Sequence, residues 1–123
     1  MQIKKSHSCI KSFAYAIEGL LYVVKSQKHM KIHIALGCLA IGISWYLGIS
    51  KMEWLGILIS IFFVMVTETM NTAIETAVDL TTTEIHPLAK HAKDCSAAAV
   101  LLASLCSVII GSIIFIPKIK GLL

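Results

Sequence analysis

Residues 54–79 read WLGILISIFFVMVTETMNTAIETAVD, and the fold turns on how this stretch divides. From Trp54 to Thr67 it contains no Lys, Asp or Glu; beyond that it carries Glu68, Glu75 and Asp79. A helix that crosses roughly 30 Å of hydrocarbon needs about 20 apolar residues. The uncharged part is too short, so the helix must continue past Glu68 and bring a carboxylate to the membrane boundary. Working outward, Ile32 to Ser50 is free of Lys, Asp and Glu, and Ala97 to Ile116 is an apolar run that ends at Pro117. The pattern predicts an all-α integral membrane protein with spans at about 31–50, 54–80 and 95–116.

Composition points the same way. Of 123 residues, 57% are hydrophobic and 15% charged, with a mean hydropathy of +0.82. Soluble domains carry about a quarter charged residues, so a soluble globular domain is excluded and one membrane domain, 1–123, is expected. The net charge of +4 comes entirely from lysine, because there is no Arg. The lysines flank apolar runs, which fits membrane orientation and not nucleic-acid binding. Cys9, Cys38, Cys95 and Cys106 have no C-x-x-C spacing and read as small buried residues outside any disulfide or zinc framework.

Ahead of the first span, Ile10, Phe13, Ile17, Leu20, Leu21 and Val24 share one helical face, predicting an amphipathic helix over about 8–26 that lies in the interface. Glu18 interrupts it and no small-residue cleavage site follows, so it does not read as a signal peptide. Between spans one and two stand only Lys51, Met52 and Glu53, which forces a hairpin; a polar loop over about 81–92 precedes span three. Lysine placement sets the orientation. With a cytoplasmic N-terminus, Lys4, Lys5, Lys11, Lys25, Lys28, Lys31, Lys90 and Lys93 are inside, and Lys51, Lys118 and Lys120 are outside, in accord with the positive-inside rule. The small residues of span three, among them Ala97–Ala99, Ala103, Ser104, Ser107 and Gly111, suit close helix packing and oligomerisation.

At 3.6 residues per turn, Glu68 and Glu75 stand about 20° apart around the axis and two turns apart along it, and Asp79 continues the line. Asn71 and Thr72 lie between them on that side. A carboxylate in hydrocarbon is costly and faces protein or water, so it is a functional candidate by default; the alternative is polar glue between helices, with Glu75 and Asp79 simply outside the membrane. After the loop come Lys90, His91, Lys93 and Asp94. Lysines near a carboxylate stripe suit a polyphosphate held with Mg²⁺; alone, they would be a solvated charge cluster. No G-x-x-x-x-G-K-[ST] or G-x-G-x-x-G motif occurs. His29 and His33, four apart, have no acid or cysteine beside them in sequence and are not read as a metal pair; His86 and His91 rank above them because their loop can reach the stripe.

The block Glu68, Asn71, Glu75, Asp79 in an E-x-x-N-x-x-x-E-x-x-x-D pattern, followed by His86, Lys90, Lys93, Asp94 and Ala97 to Val100, resembles the signature of the small prokaryotic diacylglycerol kinase family over essentially the whole chain. Met30 to His33 resembles the Gram-positive branch, whose members mostly phosphorylate undecaprenol. The resemblance implies a multi-pass protein of the bacterial cell membrane that acts as a homotrimer with composite sites at the cytoplasmic interface. It implies transfer of a phosphoryl group from MgATP to a lipid alcohol. Carried over by position, Glu68 is the general base, Asn71 orients that carboxylate or the hydroxyl, and Glu75 holds Mg²⁺. Asp79, Lys93 and Asp94 match nucleotide-site positions, with Lys93 on phosphate; Glu84, His86 and Tyr15 match positions near the nucleotide. An unpaired carboxylate at the boundary would suit Glu68's task as base.

Two departures stand out. Gln27 occupies the position of a second metal-binding Glu, offering the nucleotide site a neutral oxygen and no charge, so weaker Mg²⁺ binding is expected; Asp94 or Glu18 could compensate. The arginine common near the N-terminus is absent. The leading reading is an undecaprenol kinase. The alternatives are a diacylglycerol kinase, a small oligomeric transporter using Glu68, and a kinase-like membrane protein without turnover.

Overall fold

The computed structural model describes residues 8–123, so Lys4 and Lys5 lie outside the described residues. Four helices follow in order: α1 (Cys9–Ser26), α2 (Lys28–Leu47), α3 (Lys51–Thr81) and α4 (Pro87–Leu122). No strand occurs among the described residues. The fold is all-helical, and α2, α3 and α4 are each long and apolar enough to cross a bilayer.

The helix ends follow from local chemistry, and they shift several expected limits. α1 and α2 are separated by Gln27 alone, whose extended backbone (φ −109°, ψ 114°) caps one helix and starts the next. α2 ends at Gly48 in the left-handed region (φ 61°), where the Gly48 and Ile49 amides both reach back to the Ser44 carbonyl. A side chain there would meet the steric penalty that glycine avoids. Lys51–Glu53, expected as the connection, instead form the first turn of α3. Ser50 accepts a hydrogen bond from the Glu53 amide (3.2 Å), and Glu53 accepts one from the Ser50 amide (3.0 Å). This reciprocal capping box satisfies two otherwise orphaned donors, and the S-x-x-E pattern that encodes it is visible in the sequence.

The loop after α3 is shorter than 81–92 because α4 starts at Pro87. Proline suits the first helical position, where no N–H is needed, and His86 Nδ1 accepts from the Leu88 amide at 3.1 Å. At its far end α4 continues through Pro117 to Leu122. Proline removes one backbone bond there, while Lys118 Nζ, 3.2 Å from Glu53 Oε1, ties the last turn to the start of α3.

α3 and α4 form the main antiparallel pair, with α2 against α3 and α1 against both α2 and α3. A small core of Ile49, Ile57 and Ile114 fills the end of the bundle opposite the carboxylates. Nearer the middle, the buried set turns polar or small: Ser44, Ser60, Thr72, Ser96 and Ala103. Small hydroxyl residues let helices approach closely and bond across the contact; Ser107 Oγ reaches the Ser60 carbonyl at 3.2 Å. Thus Ala103, Ser104, Ser107 and Gly111 serve packing within the chain, while Ala97, Ala98 and Ala99 face outward.

The outer surface is apolar. Phe62, Leu101, Leu102 and Ile113 are each more than half exposed, the pattern of a chain whose outer solvent is lipid. The expected apolar face of α1 is likewise open, from Ile10 to Leu21. All four cysteines are free and exposed, which corrects their reading as buried residues. An apolar run in a membrane protein packs against lipid as readily as against protein, so hydropathy alone does not place Cys38 or Cys106 inside.

One contact governs the spacing of α2 and α3. A Cβ built on Gly37 would stand 3.2 Å from Ile61 Cγ2. Gly37→Leu should therefore wedge the pair apart and lower stability by ~1–3 kcal/mol, the usual effect of overpacking. Thermal unfolding in detergent, compared with Gly42→Leu at a site with open space, measures it.

Candidate functional site

α3 lines up the predicted carboxylates, and its neighbours decide what each becomes. Glu68 is 2% exposed. A carboxyl group so buried needs a polar partner, and it has one: His33 Nε2 stands 3.2 Å from Glu68 Oε1. The expectation of an unpaired carboxylate is corrected. His33 sits in the second turn of α2, and Gly37 one turn further on lets α2 approach α3 closely enough for the contact. The sequence places His33 in the Met30–His33 stretch of the family resemblance and in a rejected metal pair, but not beside Glu68. Its register with Glu68 depends on how α2 packs on α3, which spacing along one helix does not reveal.

The next turn of α3 belongs to α4. Ser96 Oγ donates to Asn71 Oδ1 at 2.6 Å, and Asn71 Nδ2 donates to Glu75 Oε1 at 3.3 Å. Asn71 therefore orients Glu75, not Glu68, in this arrangement. Thr72 Oγ1 bonds the Glu68 carbonyl (2.9 Å), so the hydroxyls in this stretch are held by the helix itself. Ser96, buried between α3 and α4, is a further site residue that the sequence pattern had not marked.

At the end of the stripe, Lys93 Nζ reaches Asp79 Oδ1 at 2.6 Å, and Lys90 pairs with Asp94 on the same helix. Lys93 precedes the apolar run that opens at Ala97. Its hydrogen bond to Asp79 raises the ammonium above the ordinary lysine range, against partial desolvation and with smaller help from the charges of Asp79 and Glu75. The group is thus a fixed cation at physiological pH. Both partners are substantially exposed, so the pair contributes little to stability and is free to exchange Asp79 for an incoming anion.

Two cavities flank α3. A polar one of about 490 Å³ is bordered by Asp79, Glu84, His86, Lys90, Lys93 and Asp94. It brings together most of the predicted nucleotide-site residues. Tyr15, on α1, Gln27, at the α1–α2 junction, and Glu75, on α3, do not border it. The other, about 230 Å³, is apolar and runs between α2, α3 and α4, with His33 on its wall beside Gly37, Val64 and Ser107. Among the described residues no three His, Cys, Asp or Glu side chains gather as a metal cage. Glu75 offers carboxylate oxygen, and the Gln27 side chain offers only a neutral one. Mg²⁺ commonly takes one or two carboxylates and completes its shell with phosphates and water, so this sparse oxygen set fits a metal that arrives with a polyphosphate.

With the geometry in place, relatives can be compared. Residues 14–115 match the family model for prokaryotic diacylglycerol kinase. The chain is 38% identical over 109 residues to the undecaprenol kinase of Bacillus subtilis, covering 89% of each protein. It is 37% identical over 113 residues to a diacylglycerol kinase of Synechocystis sp., covering 91% of this chain and 65% of that one. It is 35% identical over 108 residues to the diacylglycerol kinase of Haemophilus influenzae, covering 86% and 91%.

The Ser96–Asn71 bridge makes a direct prediction. Ser96→Ala should destabilise the fold by about 1 kcal/mol, the net worth of a typical hydrogen bond. In an Asn71→Ala background the same change should cost less than half as much. A double-mutant cycle by denaturant unfolding in micelles reads the coupling.

Proposed function

The chain belongs to the prokaryotic diacylglycerol kinase family and is a membrane lipid kinase, and from that premise we propose that it transfers the γ-phosphoryl group of ATP to undecaprenol. The observation that carries this reading is the layout of α3. It holds one buried carboxylate whose partner, His33, borders an apolar cavity and, further along the same face, carboxylates that lead to a lysine-bordered polar cavity. From Glu68 to Asp79 the rise is about 16 Å at 1.5 Å per residue. A lipid hydroxyl and a nucleotide can therefore approach one helix from two chemically different sides.

In this mechanism Glu68 accepts the proton of the lipid hydroxyl as its oxygen forms the new bond to Pγ. The bond from Pγ to the β,γ-bridging oxygen breaks, and ADP leaves with that electron pair. Lys93 exchanges Asp79 for a phosphate oxygen, and Lys90 adds positive potential beside it. Glu84 and His86 border the same cavity and contact the nucleotide, with Asp79 and Asp94 orienting the lysines. Tyr15 and Gln27 would approach the nucleotide from α1 and the α1–α2 junction. Glu75, held by Asn71, would hold Mg²⁺, with Gln27 as a weak neutral donor; the ion neutralises phosphate charge when bound. Phosphoryl transfer needs mainly such positioning and charge compensation.

The active end faces the cytoplasm by lysine placement, in a bacterial multi-pass membrane protein. The open apolar face of α1 lies in the interface, and the exposed alanines at the start of α4 suit a homotrimer. Undecaprenol is favoured over diacylglycerol by the Met30–His33 stretch and by the likeness to the Bacillus subtilis enzyme, whereas the other two relatives described are diacylglycerol kinases.

Transfer from γ-labelled ATP in mixed micelles, with undecaprenol and diacylglycerol side by side, tests the proposal. Undecaprenol should be the better acceptor, and Glu68→Gln should lower turnover 10²- to 10⁴-fold, the usual contribution of a general base. A Glu68→Gln enzyme that keeps its rate would sink the role of that carboxylate, and preference for diacylglycerol would change the substrate. Failure of saturating MgATP to raise the melting temperature would favour a transporter instead.

The Gln27 position makes a separate prediction. Gln27→Glu should lower the Mg²⁺ concentration needed for half-maximal rate by severalfold, while Lys93→Met should raise KM for ATP with little effect on KM for lipid. Magnesium titrations at fixed ATP and initial-rate kinetics check both.

A further inference from the structure

We propose that His33 is a positioning residue for Glu68: its Nε2–H holds one carboxylate oxygen so that the other faces the hydroxyl of a lipid seated in the apolar cavity. The inference rests on the reading of Glu68 as the base. Three observations converge on it. Glu68 is almost fully buried, and the partner of its carboxylate is His33 Nε2, 3.2 Å from Oε1. His33 also borders the apolar cavity, where its neighbours include Gly37, Ser60, Val64 and Ser107. It is thus the ionisable side chain that joins the cavity to the base. Finally, His33 and Glu68 come from different helices, brought together where Gly37 permits close approach.

The chemistry favours a positioning role over simple helix glue. A carboxylate can rotate about its terminal torsion, and that torsion is broad and roughly two-fold. A donor on one oxygen removes that freedom and leaves the second oxygen with a defined direction. The imidazole donates from Nε2 whether it is neutral in that tautomer or protonated, so the restraint does not depend on its charge. Its ring keeps the donor at the end of a short, stiff arm on the wall of an apolar cavity, where competing water is scarce. Orientation of this kind acts on the transition state more than on binding, so its loss should be read in kcat.

The test compares His33→Leu, which fills the space without a donor, with His33→Gln, whose amide can place an N–H near the position of Nε2. In the full-length protein in mixed micelles, His33→Leu should lower kcat about 10- to 100-fold, the range for a lost hydrogen bond to a charged group. KM for the lipid and for ATP should stay within about twofold, and His33→Gln should recover most of the loss. In a Glu68→Gln background, His33→Leu should cost nothing further. Melting temperatures of both variants are measured alongside. A kcat for His33→Leu within twofold of the parent overturns the proposal, as does an equal loss in Leu and Gln variants that tracks their melting temperatures. If Glu68→Gln itself retains activity, the base assignment fails, and His33 with it; if Glu68→Gln is inactive while His33→Leu is active, only the positioning role falls.

Discussion

The pairing of Glu68 with His33 across α2 and α3 is the contact on which the functional half of the molecule depends. A buried ionised group without partners costs several kcal/mol in a poorly hydrated interior. Inside the bundle Glu68 meets such a partner from another helix, His33. A small residue, Gly37, stands one turn further along α2, where the two helices close up. The same helix brings His33 to the wall of a largely apolar cavity. Beside a few buried apolar residues such as Met30, Ile57 and Ile114, this chain buries a carboxylate and hydroxyls, and leaves most of its large apolar residues facing outward.

α4 completes the arrangement by the same logic, one turn at a time. Ser96 meets Asn71, Asn71 meets Glu75, and Lys93 meets Asp79. The stripe on α3 passes from buried Glu68 through half-buried Asn71 and Glu75 to exposed Asp79. The deep end holds a shielded carboxylate, and the shallow end holds solvent-exposed ion pairs. A single helix, α3, thus borders an apolar cavity along one part and a polar one at its end.

The α1–α2 junction carries one of the two departures from the family pattern, Gln27. Gln27 interrupts the helical path for one residue, and the next helix carries the fully buried Met30 and then His33. The interfacial helix, the packing anchor and the partner of Glu68 therefore follow one another within a few residues. A neutral side chain at the break keeps an oxygen donor but carries no charge, so under the proposed mechanism Glu75 and the phosphates would carry most of the Mg²⁺ binding.

Much of this was legible in the sequence. Three apolar runs, the period of the α1 face and the 68–71–75–79 spacing determine helices, spans and a carboxylate stripe, because these depend on hydropathy and on helical geometry along one segment. The capping box at Ser50 and the proline at the start of α4 were equally readable, and they explain why α3 and α4 extend beyond the apolar runs. The tertiary structure alone decided what answers the stripe. Ser96 carries no motif and the Met30–His33 stretch does not say what His33 meets; their contacts come from the rotation and close approach of neighbouring helices. The exposure of the cysteines was also undecided by hydropathy, since lipid and protein interior are both apolar. Sequence periodicity determines which residues share a face of one helix; only packing decides which faces meet, because that choice rests on side-chain volumes and polar partners contributed by distant parts of the chain.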